Sequence, residues 1–168
     1  MSRIRILGIG SPSGDDQAGW LVIDTLSNSG LRTGGDLHFE KLDRPGASLI
    51  PLLVQADWVI LIDAMASQPL PDILGESRGQ AGQIRHFDGQ SWPDYRHGLS
   101  SHGLGVIESL SLARELGELP ARMDVYGIEA EQVQAGCPAG ETVQASAQRL
   151  AAHIAAELAR NGVYASPG

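Results

Sequence analysis

The chain has 168 residues, 42% of them hydrophobic and 19% charged, enough to bury a core without disulfide or metal staples. Its formal net charge is −8, and its twelve basic residues are eleven Arg and the single Lys41, never in a run. That excludes a phosphate-binding nucleic-acid surface and argues against an anionic membrane face. The lone Cys137 excludes an intrachain disulfide and any cysteine-built zinc site.

In chain order, Ile4 to Ile9 predicts a short buried strand that ends at Gly8-Ile9-Gly10. No signal-peptide apolar stretch precedes it, and no apolar run in the chain approaches the roughly 18 residues of a membrane span. After a Ser/Pro/Gly loop, Asp15-Asp16 opens a predicted helix to about Ser27, with Asp15 suited to cap it and both acids suited to its positive end. Leu37, Phe39 and Leu42 suggest a second strand, and Gly46 to Gln55 a short helix. Trp58-Val59-Ile60-Leu61-Ile62 is a continuous apolar run, the pattern of a strand covered on both faces, and it is expected to stop at Asp63.

Residues 66 to 82 read as an irregular connection, Gln83 to Asp88 as a strand, and Ser91 to Ser101 as a loop. His102 to Leu116 predicts a helix with Leu104, Ile107, Leu110, Leu112 and Leu116 inward and Gly117 at its end. Met123 to Ile128 predicts a strand, and 130 to 140 a Gly/Pro loop holding Cys137. Glu141 to Arg160 predicts a helix whose stripe is Val143, Ala147, Leu150, Ile154 and Leu158. Strands alternating with helices predict an α/β three-layer sandwich, a twisted and mostly parallel central sheet with helices on both faces. One domain over 1–168 is expected, in the cytoplasm and as a monomer.

Ligands of open α/β sheets bind beyond the carboxyl ends of the strands. The polar residues expected there are Asp15 and Asp16, Asp63, the Ser100-Ser101-His102 segment and Glu129. Carboxylates with an imidazole suit a divalent metal such as zinc or nickel, or acid–base work. Asp15 reads as a cap and Asp16 as cap or ligand. Asp63 is the hardest to dismiss, because a carboxyl after five apolar residues is costly unless paired or metal-bound. His102, taken alone, reads as a neighbour of a helix start. Gly8-Ile9-Gly10-Ser11-Pro12-Ser13 is a poor dinucleotide fingerprint: Ser13 stands where the third glycine belongs, and two acids sit where a pyrophosphate would lie. Cys137 lacks a visible activating partner and reads as an inert thiol.

Gly8-Ile9-Gly10 with Asp15-Asp16 and Gly19, then Ile62-Asp63-Ala64, then Ser101-His102-Gly103-Leu104-Gly105, then Val125-Tyr126-Gly127-Ile128-Glu129, together resemble the hydrogenase maturation protease family. The subgroup serving NAD-linked bidirectional hydrogenases is the most similar in the Gly10-Ser11-Pro12 and Ser100 to Gly105 segments. The resemblance implies a hydrolase, an endopeptidase that removes the C-terminal extension of a nickel-iron hydrogenase large-subunit precursor. It implies nickel as the recognition element, brought by the precursor to a protein that is metal-free at rest. It assigns Asp16, Asp63 and His102 as both metal-facing and catalytic residues. A non-catalytic nickel-checking chaperone is the alternative, and a nucleotide-binding Rossmann-like domain a more distant one. Two departures stand out: the first acid is Asp16 where the family often has Glu, and Ser11 stands where it usually has Asn.

Overall fold

A computed structural model describes residues 2–31, 35–66, 81–88 and 103–163. Among the described residues five strands form one sheet: β1 (Ile4–Gly10), β2 (Leu37–Asp43), β3 (Trp58–Ala66), β4 (Ile84–Asp88) and β5 (Arg122–Ala130), in the order β2-β1-β3-β5-β4. All pairings are parallel except β4 against β5. Among the described residues four α-helices flank it: α1 (Ala18–Ser27), α2 (Leu49–Val54), α3 (Gly103–Glu115) and α4 (Glu141–Arg160). The expected α/β sandwich, mostly parallel with helices on both faces, is what the chain adopts.

Alternation along the central strands sorts the core into two halves. Trp58, Ile60 and Ile62 of β3 join α1 and α4 on one face. Val59 and Leu61 join α2 and α3 on the other. This two-sided burial is why β3 reads as an unbroken apolar run. The stripe expected on α4 is buried as drawn, from Val143 through Leu158. Each such Leu or Ile contributes about 1.5 to 3 kcal/mol of burial. On α3, Ile107 and Leu110 are buried, but Leu112 is exposed, as is Leu116 just past the helix end; the expected inward side chain of Leu104 lies outside what is described. The helix contacts the sheet with a narrower face than its apolar content suggests.

At the amino ends of β3 and β5, Asp124 accepts hydrogen bonds from Trp58 Nε1 (2.8 Å) and Arg122 Nε (3.1 Å). The Arg122 guanidinium lies 3.8 Å from the Trp58 ring centroid and reaches Glu157 on α4. Arg160 and Arg122 together hold the Glu157 carboxyl down at about 2. This polar lock pins α4 at the end of the sheet opposite the candidate site.

Two expectations are corrected. β3 does not stop at Asp63 but runs to Ala66, because β5 offers it partners as far as Ala130. Asp15 does not cap a helix with its side chain. A single 3-10 turn, Gly14–Gln17, precedes α1, and neither helical segment has a side-chain cap.

The position of β1 explains the opening above Asp63. β1 pairs with β3 only as far as Gly8↔Ile62, then stays with β2 to Gly10↔Asp43. Beyond Gly8 the two central strands part. The connection from β1 leads outward to β2, and β3 lies on β1's other side. This is the switch point where open α/β sheets bind ligands.

Candidate functional site

The 3-10 turn after β1 carries two aspartates with different partners. Asp15 is 2% exposed, and its carboxylate accepts three backbone N–H groups: Glu131 and Gln132 at 2.9 Å on Oδ2, and Gly140 at 2.7 Å on Oδ1. It ties the loop between β5 and α4 to the end of β1. Gly14 N and Gln17 Nε2 both donate to the Cys137 carbonyl oxygen on the same loop. Cys137 thus serves through its backbone.

Asp16 is 1% exposed, and its Oδ2 accepts a 2.5 Å hydrogen bond from the buried Ser11 hydroxyl. Ser11 N also donates to the Asp16 carbonyl at 3.3 Å. Ser11 therefore grips Asp16 twice and fixes the shorter acid's carboxylate. The close approach of α1 sets the position of this turn. A Cβ on Gly19 would lie 2.3 Å from the Ile9 carbonyl oxygen and 2.7 Å from that of Ile62. Only glycine lets α1 sit over the point where β1 and β3 part. A Cβ on Gly8 would likewise lie 2.4 Å from the Gly19 carbonyl oxygen. The first glycine of the Gly8-Ile9-Gly10 segment is spent on helix–sheet packing.

Asp63 is 2% exposed and faces the α2/α3 side of the sheet, in step with Val59 and Leu61. Its Oδ1 accepts the Ala64 N–H at 2.8 Å, and its Oδ2 is buried with no donor among the described residues. Burial, and then the neighbouring Asp16 carboxylate, push the Asp63 carboxyl well above the usual carboxylate range. Two acids close enough to repel do not both ionise cheaply. The open Oδ2 offers no hydrogen bond that would draw the Asp63 carboxyl back down.

Asp16 and Asp63 are thus neighbours, the 3-10 turn lying against β3. His102, the third expected member, lies outside the described residues, as do Ser100 and Ser101. Among the described residues no group of three or more His, Cys, Asp or Glu is arranged to hold a metal ion. Two carboxyls, one with an open buried oxygen, fit a divalent cation that arrives with most of its ligands.

Glu129, expected from sequence at the strand ends, lies on β5. It is 5% exposed and pairs with Arg85. Nothing local marks Arg85. It faces the site only because β4 runs antiparallel and sets it opposite Gly127.

Residues 45–157 match the family model described as hydrogenase maturation protease. The chain belongs to the hydrogenase maturation protease family. It is 25% identical over 169 residues to the hydrogenase 2 maturation protease of Escherichia coli strain K12, covering 98% of this chain and 96% of that one. The solved hydrogenase-maturating endopeptidase HybD of E. coli shares the fold, with a TM-score of 0.81 and 22% identity over 96% of this chain and 95% of that one. The NiFe hydrogenase maturation protease HybD of Thermococcus kodakarensis superposes with a TM-score of 0.65 and 24% identity, covering 94% and 99%. Membership in the maturation protease family makes this chain a hydrolase, an endopeptidase of hydrogenase maturation. Among the described residues no helix is long and apolar enough to cross a membrane.

Proposed function

We propose that this protease removes the C-terminal extension from a nickel-iron hydrogenase large-subunit precursor that already carries nickel, with Asp16, Asp63 and His102 meeting that metal. The observation that carries the reading is the Asp16–Asp63 pair at the parting of β1 and β3: two buried carboxyls, one fixed by Ser11, the other with an open oxygen. Nickel belongs to the precursor and would supply Lewis acidity at the bond to be cut.

The chain's own residues do the rest. Ser11 orients Asp16, and Asp16 raises the proton affinity of Asp63. The raised proton affinity of Asp63 makes its binding to a cation proton-linked, since a carboxyl must lose its proton to become a ligand. A carboxylate so placed can then take a proton from attacking water. One cysteine in the whole chain means that any thiolates around the nickel come from the precursor. The acidic balance of −8 favours approach to a cation-loaded partner.

The test is incubation of purified precursor, nickel-loaded and nickel-free, with the pure protease. The expected result is loss of the extension's mass from the nickel-loaded precursor alone. Equal cleavage of both forms, or of neither, contradicts the proposal.

A further inference from the structure

The register around Asp63 lays out two rows of side chains on one face of the sheet. Asp63, Gly127 and Arg85 form one row across β3, β5 and β4, and Met65 and Glu129 lead the next. Gly127 leaves a gap in the first row, and Met65 fills it: a Cβ on Gly127 would lie 1.9 Å from Met65 Sδ. Arg85 reaches across to Glu129, where Nε (3.1 Å) and Nη2 (2.9 Å) both donate to Oε1.

That leaves Glu129 Oε2 buried with no donor among the described residues, on a side chain only 6% exposed. A guanidinium has a fork that could bridge both oxygens. Here it spends two donors on one oxygen and leaves the other open. A buried carboxylate oxygen without a donor is costly, and such orphans in a folded protein call for an explanation. The need to neutralise Glu129 explains Arg85 but not the open oxygen.

We propose that Glu129 Oε2 is an acceptor subsite for the precursor, taking an N–H donor from a residue that flanks the cleaved bond. The donor is either a side chain or the backbone of that residue. Glu129 then acts as a specificity residue, setting the register of the extension above Asp63. The inference rests on the proposed function. Met65 is the element that yields: its unbranched thioether lies between Asp63 and the Arg85–Glu129 pair and can swing aside without backbone movement.

The test is steady-state cleavage of nickel-loaded precursor by Glu129→Gln, which keeps the volume and an oxygen for Arg85 but can turn a donor toward the incoming N–H. The expected result is a KM raised about tenfold or more, with kcat within about a factor of two and the thermal midpoint not lowered. A lowered midpoint with unchanged KM would mean that Glu129 only pairs with Arg85, and overturns the proposal. If Glu129→Gln does not fold, Glu129→Asp keeps the charge for Arg85 while withdrawing the open oxygen, and the same KM rise is expected.

Alanine substitutions flanking the cut in the precursor separate the two donor sources. A side-chain donor gives one variant whose KM penalty appears with the wild-type protease and vanishes with Glu129→Gln. A backbone donor gives none. Wild-type protease that leaves the precursor uncut refutes the function itself. Wild-type cleavage with an unchanged KM in the variant refutes only the subsite.

Discussion

Asp15 and Asp16 are neighbours in sequence, and their carboxylates meet different groups. Asp15 satisfies three backbone N–H groups across the β5–α4 loop. Asp15→Ala should therefore cost about 2 to 4 kcal/mol, or roughly 5 to 15 °C in the thermal midpoint, measurable by calorimetry. Asp16→Asn should keep the midpoint within a few degrees and abolish precursor cleavage. Asp63 carries a pH signature. As pH rises through about 4, an unfolded Asp ionises, while the folded Asp63 keeps its proton, because burial and Asp16 raise its affinity. The native state then binds more protons than the unfolded one, so this group's contribution to stability falls with rising pH up to the folded value. Asp63→Asn removes that penalty. Its midpoint should exceed the wild type's at pH 7, the gap should close below about pH 4, and cleavage should be lost at every pH. A midpoint lowered at pH 7 would contradict the assignment of a buried, proton-holding acid.

Elements explain what these residues could not show by themselves. The apolar run of β3 and the stripe of α4 announced their faces in the sequence, because periodicity reports burial directly. The turn at Asp15-Asp16 read as the start of a helix. It is a 3-10 turn whose first acid reaches residues more than a hundred positions away, and no local pattern encodes such a reach. Asp63 read as a strand end for a similar reason. The partners that extend β3 lie on β5, and the strand that abandons it is β1. Arg85 was invisible because its direction depends on the antiparallel register of an edge strand. Close packing supplies a test at this scale. Gly19→Ala would drive a methyl group into the carbonyls of Ile9 and Ile62, both backbone, and should cost about 3 kcal/mol by thermal unfolding. Gly127→Ala meets only the movable Met65 side chain and should cost about 1 kcal/mol. A Gly19→Ala variant as stable as wild type would show that α1 is not seated against the parting strands.

At the scale of the whole molecule, the two ends of the sheet divide the work. The amino end is locked by Trp58, Arg122, Asp124 and Glu157. The carboxyl end holds polar groups whose bonding is incomplete, Asp63 Oδ2 and Glu129 Oε2. Among the described residues, the open buried acceptors lie where a partner would dock. The family and the fold were legible in short sequence segments because those segments end strands and open helices. The pairing of Asp16 with Asp63, 47 positions apart, exists only through the switch point between β1 and β3. The most direct measurement of the central claim is mass spectrometry of nickel-loaded precursor incubated with wild-type protease, Asp16→Asn and Asp63→Asn, each variant first shown to be folded. The account predicts loss of the extension with the wild type and an intact precursor with both variants. Processing of the precursor by either folded variant would contradict it.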